Sequence, residues 1–449
     1  MNEEENLKRN LVPFADESEA DFVLRESDMS EENFKRQFYY VYRVRIDTIQ
    51  PRVEAKARLQ LGKDKKLTEL QNMKKGEEVF VAGTILKKMK YRPSVLYEFA
   101  DEDQELPETL EGGVSLSAED DILELEDDRQ IVKLRGNVNA GKFTTGFVLG
   151  FYGHQVQDNY FEVKEVILPE VVPQLEWPLV KQDSYVLFVS GLSLTTDSRK
   201  NALVITGLNL LCRWISGELY FSDEEEDIIQ NMSRVIFAGE SMSLFKGEEF
   251  SKATTLTLDT EDLAPELITE LDDIFSRFSS ILPVDLMPGK GDPTNDLWPQ
   301  QPIPRVIFQK SIKNEKSFRT VTNPYKFKLA DIQFVGTSGE NVSNMVNLTR
   351  DMSSLDVMQE SLECGLIAPT APDSVDAFPF RNKDPFIINE LPHVFFGGNQ
   401  KQLDHRMAHI GNDGAKVLLL ALPQFSESYS VALLNIRTME VTEYNFSPS

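Results

Sequence analysis

Between residues 31 and 60, the apolar positions Phe38, Tyr42, Ile49, Val53 and Ala57 fall mostly four residues, or a multiple of helical turns, apart. That spacing predicts an amphipathic helix, with Pro51 kinking it or starting a second one. Strand-like segments follow. Glu78–Ile85 is rich in Val and Phe, and Ile131–Val138 alternates Val132 and Leu134 with Lys133 and Arg135. Phe143–Tyr152 contains Gly146 and Gly150, as a bent strand would, and Tyr160–Leu168 follows an Asp158-Asn159 turn. Short, glycine-interrupted strands of this kind predict a small β-barrel. An OB-fold is one candidate, and periodicity alone does not separate it from other barrels.

The proline-rich stretch Pro169–Pro178 reads as a linker, and beyond it the pattern changes. Tyr185–Ser190 and Arg234–Ala238 are near-continuous apolar runs of the kind buried strands show. Leu267, Leu271, Ile274, Phe278 and Leu282 repeat at helical spacing. Leu282–Met287, Ile332–Val335 and His393–Phe396 read as further strands, each running into a glycine-containing turn. Apolar strand, glycine turn and helix in alternation predict an α/β sandwich, with ligands gathering at the carboxyl ends of its strands.

Charge divides the chain further. Its 449 residues suit two domains and carry a formal net charge of −26, which repels polyanions on average. Residues 1–32 hold eleven acidic and three basic side chains and are expected to form a disordered acidic tail. Residues 33–92 reverse the balance, with sixteen Lys/Arg against six Asp/Glu. That stretch is either a face for nucleic acid or an acidic partner, or a helix with ordinary solvated cations. Residues 101–128 carry thirteen acidic side chains and no basic one, as a solvated loop would, with Leu123 and Leu125 beginning the next element. Asp223–Asp227 reads as another exposed turn. No apolar run approaches the roughly 18–20 residues of a membrane span, and the first residues do not resemble a signal peptide. Cys212 and Cys364 support neither a disulfide framework nor a cysteine-rich metal site.

A metal-dependent phosphoesterase would place Asp, His and Asn on the strand-end loops of the sandwich. Here the loops read Ser190-Gly191-Leu192-Ser193, Gly239-Glu240-Ser241-Met242, Gly289-Lys290-Gly291-Asp292 and Gly397-Gly398-Asn399-Gln400-Lys401. None holds a histidine, and Lys290 and Lys401 would repel a dication. Glu240, Asp292 and Asn399 are the side chains able to touch a metal. His405 and His409 would share a face if helical, the spacing of a zinc pair, but no carboxylate or cysteine pattern accompanies them. There is no GxxxxGK[ST] loop and no GxSxG elbow. Gly336-Thr337-Ser338-Gly339 reads as a structural polar turn. Two alternatives remain on the residues alone: a working phosphodiesterase or nuclease, and a single-strand binder for which Lys87, Lys88, Lys90, Tyr91 and Arg92 supply a fragment of a basic groove.

Pro283–Pro302 carries PVD-x-MPG, DPTN and PQQP in close succession, followed by Thr322-Asn323-Pro324-Tyr325 and by FVGTSGENVS over Phe334–Ser343. Pro369–Asp373, Asp384–Ile387, Pro392–Asn399 and, nearer the start, Val81–Leu86, Leu125–Gly136 and Ser190–Leu192 add to the set. On these motifs the chain, from about residue 35 onward, resembles the second, small, non-catalytic subunits of eukaryotic DNA polymerase delta. Asp296-Leu297-Trp298 departs from the usual spacer before PQQP.

The resemblance implies an N-terminal helix and OB-fold domain over 33–175, joined to a calcineurin-like phosphoesterase domain over 176–449 that has lost its metal ligands. Active relatives carry Asp-x-His, Gly-Asp, Gly-Asn-His-Asp/Glu and Gly-His-x-His at the four turns. Here Gly191 and Ser193 occupy the first motif, Glu240 the second and Asp292 the third. Asn399 and Lys401 stand where the last motif's histidines would be. No catalysis, metal or cofactor is then expected. The same resemblance implies a nuclear scaffold for replication and repair that bridges the catalytic subunit's Cys-rich C-terminal domain to a third, clamp-binding subunit. The translesion polymerase zeta catalytic subunit is a further candidate partner, and DNA is met weakly or through the complex.

Overall fold

The computed structural model describes residues 9–28, 31–35, 38–62, 66–90, 116–157, 159–219, 222–243, 265–314, 316–411 and 414–448. An N-terminal arm holds β1 (Phe14–Asp16) and the short helices α1 (Ser18–Asp21) and α2 (Glu31–Phe34), and leads into the 22-residue α3 (Tyr39–Gln60). That helix buries Val41, Arg45, Ile49, Val53 and Ala57, a strip spaced by fours. Phe38 is exposed and Tyr42 half-buried, so the buried face lies beside the one expected from them. No second helix starts at Pro51. Pro51 and Asp47, whose carbonyl it leaves without a donor, are both exposed, so water can satisfy that group.

Five strands follow: β2 (Glu78–Lys88), β3 (Ile122–Glu126), β4 (Ile131–Gly136), β5 (Val148–Gln157) and β6 (Tyr160–Ile167). They close into a barrel in the order β2-β3-β4-β6-β5, with β4 and β6 parallel, which is the connectivity of an OB-fold. Alternate residues such as Leu123, Leu125, Val132 and Leu134 fill its interior. β5 begins at Val148 rather than Phe143, because Gly146 turns the chain with a φ of +98°. Most of the acidic loop, residues 91–115 with Tyr91 and Arg92, lies outside the described residues.

The remainder is a four-layer sandwich. One sheet has the order β10-β9-β8-β7-β16-β17. It comprises β7 (Tyr185–Val189), β8 (Met232–Ala238), β9 (Val284–Met287), β10 (Phe318–Thr320), β16 (Ser430–Asn435) and β17 (Val441–Asn445). The other has the order β1-β11-β12-β13-β15-β14. Its new strands are β11 (Tyr325–Leu329), β12 (Ile332–Thr337), β13 (Val394–Gln400), β14 (Asp404–Ile410) and β15 (Ala415–Pro423). The sheets meet over Val186, Phe188, Ile236, Phe334, Phe396 and Leu420. Outside the first sheet lie α4 (Ser198–Ile215), α5 (Asp223–Gln230) and α6 (Pro265–Ile281). Outside the second lie α7 (Glu340–Leu348) and α8 (Ser354–Cys364), and α9 (Phe425–Ser428) caps the end. Asp223–Asp227 is the start of α5, not an exposed turn. Ser222 accepts the Glu225 N–H, and the four acidic residues of the first turn suit the helix's positive end.

The arm corrects another expectation. Residues 9–28 are not a disordered tail: β1 adds antiparallel to the edge of β11, and Phe22 and Leu24 are buried. The acidic residues stay ordered because Glu17 pairs with Lys328 and Asp21 with Lys326.

Barrel and sandwich share one continuous hydrophobic cluster. It runs from Val81 and Phe151 through Ile49 and Val53 of α3 to Met358, Leu362, Ile387 and Phe395. Polar ties cross the same seam. Lys142 reaches Glu360 at 2.8 Å, and Arg52 donates to the Ile388 carbonyl at 2.8 Å. The proline-rich linker is docked as well: Leu391 N–H donates to the Pro173 carbonyl, and Trp177 packs on the His393 ring at 4.7 Å.

Candidate functional site

The parallel strands all end on one side of the sandwich, and the loops there interlock. Gly191 and Ser193 N–H groups donate to the Gly239 and Glu240 carbonyls at 3.0 and 2.8 Å, zipping the first loop to the second. The Asp292 carboxylate accepts from the backbone N–H groups of Gly289, Met242 and Ser241, at 2.8, 2.9 and 3.2 Å. It therefore staples the second loop to the third. The Asn399 amide donates to the Ser338 carbonyl at 2.8 Å, while its backbone N–H donates to Ser190 Oγ at 3.1 Å. Gln300 and Asn323 extend the network. Asn323 Nδ2 donates to both Gln300 Oε1 and Ser338 Oγ at 2.8 Å.

Backbone geometry is unusual here. Ser193, Glu240 and Asn399 have φ values of +47°, +53° and +56°, a region costing non-glycine residues about 1–3 kcal/mol. The loops also approach too closely for side chains at some points. A Cβ on Gly339, whose φ is +90°, would lie 1.7 Å from the Gly398 carbonyl oxygen.

The loops thus bring Gly191, Ser193, Glu240, Asp292 and Asn399 together, whereas Lys401 stands exposed. Lys290 points to Glu340 at 3.4 Å. Burial raises the Asp292 carboxyl to about 7, against the three N–H donors that favour its ionised form. Both its oxygens are already engaged, so it offers little to a cation. Ser193 Oγ, Ser241 Oγ and Asn399 Oδ1 are buried without a partner. These neutral oxygens could hold ordered water. They form a poor set for the pair of dications that phosphoesterase chemistry requires, which draws on carboxylate and imidazole ligands. Among the described residues, no group of three or more His, Cys, Asp or Glu side chains is placed to bind a metal.

The histidine pair is not helical. His405 and His409 lie on β14, where four residues span roughly 13 Å, and both are exposed. His393 is buried and structural: its Nδ1 accepts the Gln333 N–H at 2.9 Å, and its Nε2 meets the Leu175 carbonyl at 3.1 Å.

The described lysines of the expected groove are paired within the protein. Lys87 is buried, donates to Ser117 Oγ and to the Leu348 carbonyl, and lies 3.6 Å from Asp121. Its burial depresses it to about 8. Lys88 pairs with Glu124 and Lys90 with Asp120, so the described end of the acidic run neutralises the strand that was expected to offer a groove. Arg43 reaches Asp128 in the same way. No described helix is long and apolar enough to cross a membrane.

Sequence reasoning missed the network role of Gln300 and Asn323, although both fall in motifs that carry the family resemblance. It also missed Arg45, whose only sequence signal is a cation in register with four apolar helix positions.

Two sequence families match. Residues 37–166 match the DNA polymerase delta subunit OB-fold domain, and residues 186–405 match the DNA polymerase alpha/epsilon B-subunit family. A rice protein named DNA polymerase delta small subunit is 32% identical over 85% of this chain and 87% of its own. A Caenorhabditis elegans protein, probable DNA polymerase delta small subunit, is 32% identical over 95% of each chain. The Arabidopsis thaliana DNA polymerase delta small subunit is 34% identical over 84% of this chain and 83% of its own. Among solved structures, a purple acid phosphatase from yellow lupin seeds covers 67% of this chain at a TM-score of 0.27 and 6% identity, a likeness that carries no inference about activity.

Proposed function

The chain belongs to the family of DNA polymerase delta small subunits, and from that membership in a replicative polymerase we propose that it is a non-catalytic scaffold. In this reading it works in the nucleus in replication and repair, and bridges the catalytic subunit's Cys-rich C-terminal domain to a third, clamp-binding subunit. The translesion polymerase zeta catalytic subunit would use the same body. DNA is met weakly or through the complex.

The observation that carries this reading is the occupied carboxylate of Asp292. In this reading Asp292 stands at a former ligand position on the third loop, and the reading is supported by its carboxylate accepting three backbone N–H groups. The site's polar groups hold loops to one another, and the shared core makes barrel and sandwich one rigid support. In this account Gly191, Ser193, Glu240, Asn399 and Lys401 are likewise vestiges of a phosphoesterase centre, and the protein needs no metal or cofactor.

Co-expression with the catalytic subunit's Cys-rich domain tests the proposal. A one-to-one complex that dissociates when chelation unfolds that domain is expected. Absence of a complex with folded protein on both sides would overturn it. Manganese-dependent hydrolysis of a phosphodiester by the purified protein, lost in Asp292→Ala, would instead establish an enzyme.

A further inference from the structure

We propose that the outer edge of β11 is a docking site for an extended, acidic peptide segment of a partner protein, which residues 13–21 of the arm occupy in cis. The arm reads the edge as a strand ligand does. Phe14, Ala15 and Asp16 pair with Leu329, Lys328 and Phe327, and the Ala330 N–H donates to the Pro13 carbonyl at 2.9 Å. Backbone pairing of this kind gives affinity without sequence preference.

Selectivity comes from the side chains. Tyr325, Phe327 and Leu329 point into the core, leaving Lys326 and Lys328 on the outer face. Lys326 meets Asp21 at 3.4 Å, and Lys328 meets Glu17 at 2.8 Å. Ser18 Oγ donates to the Lys326 carbonyl at 3.1 Å and accepts the Lys326 N–H at 2.9 Å, so a side-chain hydroxyl continues the strand's ladder. The Phe14 ring lies 3.6 Å from the Arg234 guanidinium and 4.7 Å from that of Arg319, both on the facing sheet. The edge thus selects an aromatic ring, a hydroxyl four residues on, and carboxylates three and seven residues on.

The same charges disfavour a second copy of the edge. Two β11 strands paired antiparallel about Phe327 would set Lys326 against Lys328 in both directions, and like charges directly opposite destabilise a ladder. The strand-pairing part of the arm is short, with three residues in β1 and partly exposed ion pairs, and the arm's firmer anchors, Phe22 and Leu24, lie beyond the β11 edge. A partner strand of the same pattern can therefore compete for the edge.

The test uses the full chain with a site-specific protease sequence placed at 29–30, so that the arm can be cut after folding. A labelled peptide of residues 9–24 is titrated by anisotropy before and after cutting. Saturable binding is expected only after cutting, weakening with added salt. It should fall about tenfold for a peptide carrying Glu17→Gln and Asp21→Asn, and be lost in the Lys326→Glu/Lys328→Glu protein. Circular dichroism and melting of the cut protein verify its fold. Two outcomes overturn the proposal: no binding by a cut protein that keeps its fold, or binding of the neutral peptide as tight as that of the acidic one.

Discussion

Arg45 Nε donates to Asp384 Oδ2 at 2.8 Å with both side chains fully withdrawn from solvent, one on the helix beneath the barrel and the other in the sandwich. The guanidinium also donates to the Pro369 and Ala371 carbonyls at 2.8 and 3.0 Å. The rest of its charge is thereby compensated by carbonyl dipoles, as a buried ion requires.

Arg45→Ala strands the Asp384 carboxylate and two carbonyls at the seam. A loss of about 3–5 kcal/mol is expected, read from urea unfolding. Because the core is continuous, the wild-type chain should lose barrel and sandwich signals together. Two separated transitions in the wild type would count against a shared core.

Asp292 should make the protein less stable as pH rises from about 4 to about 7. Its folded value, near 7, exceeds its unfolded value. In that window the folded state holds a proton that the unfolded state has released, so stability is greatest at the acid end and declines upward. Asp292→Asn should remove this slope. It should also cost about 1–3 kcal/mol, because an amide NH₂ then faces backbone N–H donors. Unfolding free energies at several pH values check both.

His393 acts with the opposite sign. Burial lowers it, and protonation would turn Nδ1 from the acceptor of the Gln333 N–H into a second donor. The unfolded chain then binds the proton more readily, and stability falls as pH drops below about 6.5. In His393→Gln the dependence between pH 5 and 7, measured by denaturant titration, should be shallower by this residue's share.

Gly339→Ala separates crowding from backbone strain when set beside Gly414→Ala. Both glycines have positive φ, at +90° and +79°, but nothing lies within 4 Å of a Cβ on Gly414. Gly414→Ala should cost about 1–2 kcal/mol. Gly339→Ala, aimed at the Gly398 carbonyl, should cost clearly more, with the difference visible in thermal melts.

Periodicity located most of the elements because their apolar residues follow one geometry. Leu267, Leu271, Ile274 and Phe278 line the buried face of α6, and the apolar runs became the central parallel strands. It failed where local composition and tertiary contact disagree. Acidic residues read as disorder or turn, yet Glu17 and Asp21 find lysines some three hundred residues away, and the acids after Ser222 begin a helix. His405 and His409 misled because an i, i+4 spacing shares a face in strand and helix alike. The site's residues were legible as a set because each follows an apolar strand. Their bonding was not: that Asp292 turns toward backbone N–H groups depends on how two separate loops meet.

The pairing of β1 with β11 has a consequence for synthesis. Phe14 leaves the ribosome long before Leu329, its ladder partner, and Arg45 long before Asp384. At ordinary translation rates of about 5–20 residues per second the wait is roughly 15–60 s. Throughout it the start of the arm and the Arg45 guanidinium have no mate, although the apolar strip of α3 can pack on the barrel strands once these are made. Chains truncated before the second sheet is made should therefore be less stable than the whole, because the buried Arg45 then lacks its carboxylate and carbonyl partners.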